Sequence, residues 1–265
     1  MIASKTSSRR GALSRRALMV ALGISAIGFS ALPVAAEAKG PTEVPVEQLM
    51  KPSPMGEITL GKPDAKASVV EYASMTCSHC AHFTKDVWPG FKKKYIDSGN
   101  VYYVFREFPL DNLAAAAAML ARCAGGDKTL PLIEVLFEKQ QDWAFGEGNP
   151  VPKLFEFAKQ AGFTQESFDK CLTDQKLLDN ITGGRTRASE VFGVSATPTF
   201  FVNGKKLDGA PTIEAFDKML TPILGPDAPR AETPSPTPPA STQVAAPTTA
   251  PPAPAAPAPA QGMSK

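Results

Sequence analysis

Residues 69–83 read Val-Val-Glu-Tyr-Ala-Ser-Met-Thr-Cys-Ser-His-Cys-Ala-His-Phe, an apolar run that ends in Cys77-Ser78-His79-Cys80. Val69, Val70 and Tyr72 favour a buried strand, and apolar side chains recur at helical spacing from Cys80 onward. A strand that hands Cys-x-x-Cys to the first turn of a helix exposes one sulfur at the helix N-terminus. The other, three residues on, turns inward. The unpaired N–H groups of that turn and the positive end of the helix dipole stabilise a thiolate at Cys77, and a protonated His79 adds a second positive neighbour. A stabilised thiolate is a better leaving group, so the motif predicts redox exchange. The competing reading is a metal site, because His79 and His82 lie close and Cys-x-x-Cys also chelates zinc. A structural zinc site usually has a second such pair, and the sequence contains none.

The two ends of the chain differ from its middle. Residues 1–38 carry Lys5, Arg9, Arg10, Arg15 and Arg16, then an apolar stretch from Ala17 to Val34 and the small residues Ala35, Ala36 and Ala38. That is the pattern of an export signal, and Ser14-Arg15-Arg16-Ala17-Leu18-Met19 is similar to a twin-arginine signal. Read instead as an uncleaved anchor, the stretch is short and broken by Gly23, Gly28 and Pro33. These 38 residues hold one acid, Glu37, so without them the balance is 23 basic to 25 acidic, and the chain's net positive charge comes from the leader. The remainder offers no nucleic-acid surface, and no stable membrane insertion is expected after signal cleavage. Export implies the periplasm, where four cysteines in the mature chain are naturally two pairs. From 227 to 265 the sequence is Pro, Ala, Thr and Ser with almost no apolar side chain larger than Val. Such a tract cannot bury a core and is expected to be disordered.

Between these ends, 39–55 is Pro-rich and predicted to be an extended lead-in to a domain spanning 56–226. Ile58-Thr59-Leu60 is a short strand candidate and Ser68 to Tyr72 a buried one. The helix at the Cys pair places Cys80, Phe83, Val87, Phe91 and Tyr95 on one face, with a bend at Pro89-Gly90. Val101 to Phe105 completes a β-α-β unit with two parallel strands, and the Cys pair sits at the carboxyl end of the first. From 111 to 192 the pattern is helical throughout, which predicts an all-helical insertion within an α/β domain. Thr199 to Val202 returns as a strand, Asn203-Gly204 forms a hairpin turn, Leu207 sits on the returning strand, and Ile213 to Leu224 closes as a helix. Cys123 and Cys171 fall in the insertion and are expected to form a structural disulfide that stabilises by up to about 4 kcal/mol. Two buried thiols are the alternative.

Glu71 interrupts the apolar strand before the Cys pair, where an ionised carboxylate is costly unless paired or titrated. It reads either as a solvated edge residue or as a buried proton acceptor and donor for Cys80, with Arg106 as a candidate partner. His82 and the run Lys92-Lys93-Lys94 read as solvated helix surface.

Cys77-Ser78-His79-Cys80, Glu71 six positions earlier, and Ala196-Thr197-Pro198-Thr199-Phe200-Phe201-Val202-Asn203-Gly204 together resemble the DsbA family of exported thiol:disulfide oxidoreductases. The resemblance covers about 56–224. It implies a thioredoxin fold with an inserted all-helical subdomain and a catalytic Cys77–Cys80 disulfide that needs no other cofactor. It also implies that Pro198 is cis and lies against that disulfide, and that Thr197 pairs its backbone with substrate. The partners implied are unfolded or folding exported proteins and a quinone-linked membrane oxidant of the DsbB type. Ser78 is a departure, since the best-known members carry Pro there. The expected function is a periplasmic protein disulfide oxidase. A reductase or isomerase of the same fold, and a metal- or client-binding module, are the other readings.

Overall fold

β1 (Ile58–Leu60), β2 (Ala67–Ala73), β3 (Val101–Glu107), β4 (Thr199–Val202) and β5 (Lys205–Lys206) form one sheet in the order β1-β3-β2-β4-β5. They belong to a computed structural model that describes residues 40–225. The expected export signal and the tail at 227–265 lie outside the described residues. β2 and β3 are parallel, and β4 runs antiparallel to β2. The central position of β2 follows from its composition, since all but Ser68 of its side chains are buried.

Because side chains alternate across a strand, β2 feeds two separate cores. On one face Val69, Tyr103, Phe105, Phe200 and Val202 meet the helix that follows the Cys pair and α10 (Ile213–Leu224). Phe83 and Phe200 stand 4.7 Å apart by ring centroid, and Phe91 and Phe216 4.6 Å. On the other face Val70, Tyr72, Val104 and Phe201 pack against Ala188 and Phe192 and against Val44 and Leu49.

Those last two residues correct the expected lead-in. Residues before 56 are part of the folded unit: α1 (Val46–Leu49) is a one-turn helix with Leu49 fully buried, and Glu43 bridges to Lys205. The hairpin turn makes this possible. Asn203 and Gly204 both have positive φ, and Val44 N–H donates to Gly204 O at 2.8 Å. A Cβ on Gly204 would fall 2.3 Å from Val44 O, so only glycine lets the two segments approach.

The helix after the Cys pair is not a plain α-helix. α2 (Ser78–His82) and α3 (Trp88–Phe91) alternate with π-helical turns at Phe83–Val87 and Lys92–Ile96. Pro89 lacks an N–H and its ring clashes with the carbonyl one turn back, which a wider turn relieves. The wide turns also suit the sequence, because Phe83, Val87, Phe91 and Tyr95 recur every four residues and would drift around a helix of 3.6 per turn. Phe83, Phe91 and Tyr95 remain buried as a result.

The insertion consists of α4 (Asn112–Ala124), α5 (Thr129–Glu138), α6 (Gln140–Trp143), α7 (Pro150–Gln160), α8 (Gln165–Leu172) and α9 (Gln175–Phe192). Cys123 at the end of α4 and Cys171 in α8 form a disulfide with a Cα–Cα separation of 6.2 Å. Arg122 joins the insertion to the sheet through a buried pair with Glu107, Nη2 to Oε2 at 2.8 Å, and donates to Gly56 O at 2.9 Å.

Leu49→Ala tests whether the lead-in belongs to the core. Loss of a fully buried leucine is expected to cost about 2–4 kcal/mol in urea unfolding, whereas a merely extended segment would tolerate the change.

Candidate active site

The turn Ser74–Cys77 leaves the end of β2 and becomes the N-cap of α2. Cys77 is extended (φ −79°, ψ 117°), and its sulfur accepts from Cys80 N–H at 3.3 Å. Cys77 and Cys80 are free thiols here, and both are buried, Cys77 at 9% exposure and Cys80 at 0%. The sulfur expected to be open is therefore only at the rim, because the loop before β4 covers it. That loop contains the cis peptide Thr197–Pro198. The Cys77 thiol donates to Thr197 O at 3.3 Å, and the Thr197 hydroxyl, buried with no other hydrogen-bond partner among the described residues, is the Thr197 group that favours the Cys77 thiolate.

These neighbours divide the two acidities. Cys77 is lowered to about 5, first by the hydrogen bond from the Cys80 thiol, then by Thr197 and the backbone N–H groups of Cys80 and His79, against opposing desolvation. Cys80 is pushed far up by burial, by its hydrogen bond to Cys77 and by the charge on that sulfur. His79 thus acts on Cys77 through its backbone, and its side chain is exposed. His82 turns away to Asp86, with Nδ1 to Oδ2 at 2.6 Å.

Glu71 is 2% exposed, on the sheet face that carries the helix. Its pKa rises to about 8, mainly by desolvation and also by the Cys77 charge, opposed by one hydrogen bond from Tyr103 OH at 2.5 Å. Oε1 has no partner among the described residues, and the adjoining cavity of about 10 Å³ holds at most one water. Arg106 is not the partner of Glu71. In the parallel register Glu71 lies beside Phe105 and Tyr72 beside Arg106, so the arginine points to the opposite face. There it bonds Leu49 O at 2.6 Å, Tyr72 OH at 3.0 Å and Glu57.

Two further groups reach the redox turn from the insertion, and neither was visible in the motif. Asp111 Oδ2 accepts from Thr76 Oγ1 at 2.7 Å, while its Oδ1 caps α4 by accepting from Ala114 N–H at 2.7 Å. Gln140, fully buried, donates from Nε2 to Met75 O at 2.8 Å and to Cys77 O at 3.0 Å. Alternation along Val101-Tyr102-Tyr103 could have pointed to Tyr103. Nothing in the sequence around Gln140 marks it.

The family model for thioredoxin matches residues 53–221. The crystal structure of Wolbachia pipientis alpha-DsbA1 superposes with a TM-score of 0.63 at 31% identity, covering 68% of this chain and 96% of that one. The chain is a DsbA-like member of the thioredoxin family. The oxidised BdbD structure from Bacillus subtilis is similar at 26% identity, TM-score 0.57, over 66% of this chain and 96% of that one. A candidate protein-disulfide oxidoreductase of Rickettsia bellii is 37% identical over 151 residues, 56% of this chain and 57% of that protein. The chain thus spans little more than half the length of that relative. In this DsbA-like chain the helical insertion lies between β3 and β4.

Glu71 can be tested in the reduced form, where the Cys77 charge that helps raise its pKa is present. Its folded pKa of about 8 exceeds the ordinary 4.5, so its neutral form is favoured by folding. Stability from this group is complete below about 4.5 and is lost as pH rises toward about 8. Glu71→Gln keeps an acceptor for Tyr103 and removes that loss. Its melting temperature should match the parent in acid and exceed it increasingly across this window. An equal difference at all pH values would mean that Glu71 ionises normally.

Proposed function

We propose that the chain is an extracytoplasmic protein disulfide oxidase acting through Cys77 and Cys80. The observation that carries this reading is the opposed acidity of the two sulfurs, one held near 5 and the other pushed far up. A dithiol whose outer sulfur is a stable thiolate favours the reduced state, so its disulfide is a good electron acceptor. DsbA itself is the familiar instance of a stabilised thiolate making a strong oxidant, and the expectation for this chain is partly carried over from that likeness.

In the oxidised enzyme a substrate thiolate attacks Cys77 Sγ, forming a substrate–Cys77 bond and breaking Cys77–Cys80. Cys80 leaves as a thiolate and takes a proton, for which Glu71, whose carboxyl is held protonated above the ordinary carboxylate range mainly by burial, is the donor. A second substrate thiolate then attacks the substrate sulfur and expels Cys77 as its stabilised thiolate. Two electrons have passed to the enzyme, and the substrate holds a new disulfide. Thr197 O accepts a hydrogen bond from the Cys77 thiol when that sulfur is protonated. Once Cys77 is in a disulfide that carbonyl has no thiol donor, leaving it available to a substrate N–H added as a strand edge.

The clients are unfolded or folding exported proteins, and a DsbB-type membrane oxidant would remove the two electrons. Residues 1–38 support export to the periplasm by their composition, and the Pro, Ala, Thr and Ser composition of 227–265 supports reading that stretch as a tail that contributes no core. Among the described residues no helix is long and apolar enough to cross a membrane.

Cys80→Ser leaves the mixed disulfide without its resolving thiol. That variant, purified from an exporting host, should accumulate reductant-sensitive adducts with client proteins on non-reducing gels, and Cys77→Ser should accumulate few or none. Adducts in neither, with stoichiometric zinc in the parent, would favour the metal-site reading. A glutathione titration separates oxidase from reductase, because the oxidase requires a disulfide clearly less stable than the dithiol and a reductase the reverse.

A further inference from the structure

We propose that Gln140, in the helical insertion, is a positioning residue that tunes Cys77 by fixing the direction of its carbonyl group. The inference rests on the reading of Cys77 as the reactive sulfur. Cys77 O accepts the first backbone bond of α2, from Ala81 N–H at 3.1 Å. Its orientation therefore sets how the first-turn N–H groups point at Cys77 Sγ. Gln140 Nε2 binds this carbonyl and that of Met75, using both amide hydrogens on the strand-to-helix turn. Two carbonyl acceptors also fix which end of the amide faces them, because an oxygen there would be repelled.

The remaining amide atom argues that the placement is not incidental to packing. Gln140 Oε1 is buried without a partner among the described residues, a cost that an apolar residue of the same length would avoid. Thr76, between the two clamped residues, is held by Asp111 at 2.7 Å. Three consecutive residues of the redox turn are thus fastened to the insertion, and Gln140 supplies the contacts at Met75 and Cys77. Without them the Met75 carbonyl loses its donor and the Cys77 carbonyl, left with only the Ala81 bond, is less firmly oriented. The donors around Cys77 Sγ then align less well, which raises its affinity for a proton and makes the disulfide harder to reduce.

Gln140→Met keeps side-chain length and removes both donors. Its thiolate absorbance should titrate with about tenfold higher proton affinity at Cys77, and its disulfide should be harder to reduce in a glutathione titration. Leu154→Ala, a fully buried residue of α7 whose side chain makes no hydrogen bond to the turn, serves as the control for general destabilisation and should leave the Cys77 titration unchanged. An unchanged Cys77 titration in folded Gln140→Met, or an equal shift in Leu154→Ala, would overturn the proposal. If Gln140→Met does not fold, the parent protein still decides. The side-chain amide protons of Gln140 should exchange slowly by NMR and change chemical shift between the reduced and oxidised forms. Fast exchange, or shifts indifferent to redox state, would refute the clamp. These readouts follow Cys77 and Gln140 themselves, so they stand apart from the adduct trap in Cys80→Ser, which tests turnover.

Discussion

Cys77 and Glu71 are both buried acids near the end of the same strand, yet their proton affinities move in opposite directions. Desolvation disfavours the charged form of each. At Cys77 it is outweighed by the Cys80 thiol, Thr197 and two backbone N–H groups, and the sulfur ionises near 5. At Glu71 one hydrogen bond from Tyr103 faces full burial and the nearby sulfur charge, and burial wins. The number of donors that reach each atom decides the outcome. Holding several donors on Cys77 requires a helix start, a strand end and a loop to meet at one sulfur, and much of the surrounding packing can be traced to that requirement.

The sheet keeps this chemistry separate from a second set of charges. Strand alternation sends Glu71 and Tyr103 to the face covered by the active-site helix, and Tyr72 and Arg106 to the face covered by α1 and α9. Arg106 is fully engaged there with Glu57, Tyr72 and the backbone of Leu49. Had it lain beside Glu71, the carboxyl would be held ionised and could not supply a proton to Cys80 near neutral pH. Under the proposed proton donation from Glu71 to Cys80, the separation bears on function as well as on packing.

The strands and the helix start were legible in the sequence because β-branched runs, the Cys pair and the Asn-Gly turn are local signals with direct physical causes. The helical insertion was legible for the same reason, and the even cysteine count pointed to the Cys123–Cys171 bond. What could not be read were relations between distant segments. The partner of Glu71 depends on strand register, and Arg106 was attractive only while its face was unknown. Val44 and Leu49 sit in a Pro-rich stretch with too few apolar residues to show a period, and their burial depends on the hairpin that receives them. Gln140 is one polar residue at a helix junction, and its two carbonyl partners lie 65 and 63 positions away.

Topology explains why an insertion of this length can serve the site without disrupting it. Its first helix is capped by Asp111, which also binds Thr76, and its last helix ends at Phe192, shortly before Thr197 meets Cys77. Both ends of the inserted segment are thus fixed at the redox turn. The entropy of closing a loop grows only logarithmically with its length, so further helices between those ends add little cost provided they pack. The Arg122–Glu107 pair and the Cys123–Cys171 disulfide fix part of that packing. An insertion anchored in this way necessarily lies against the turn, and a polar side chain on its inner surface, such as Gln140, can then act on Cys77 from a distant part of the sequence.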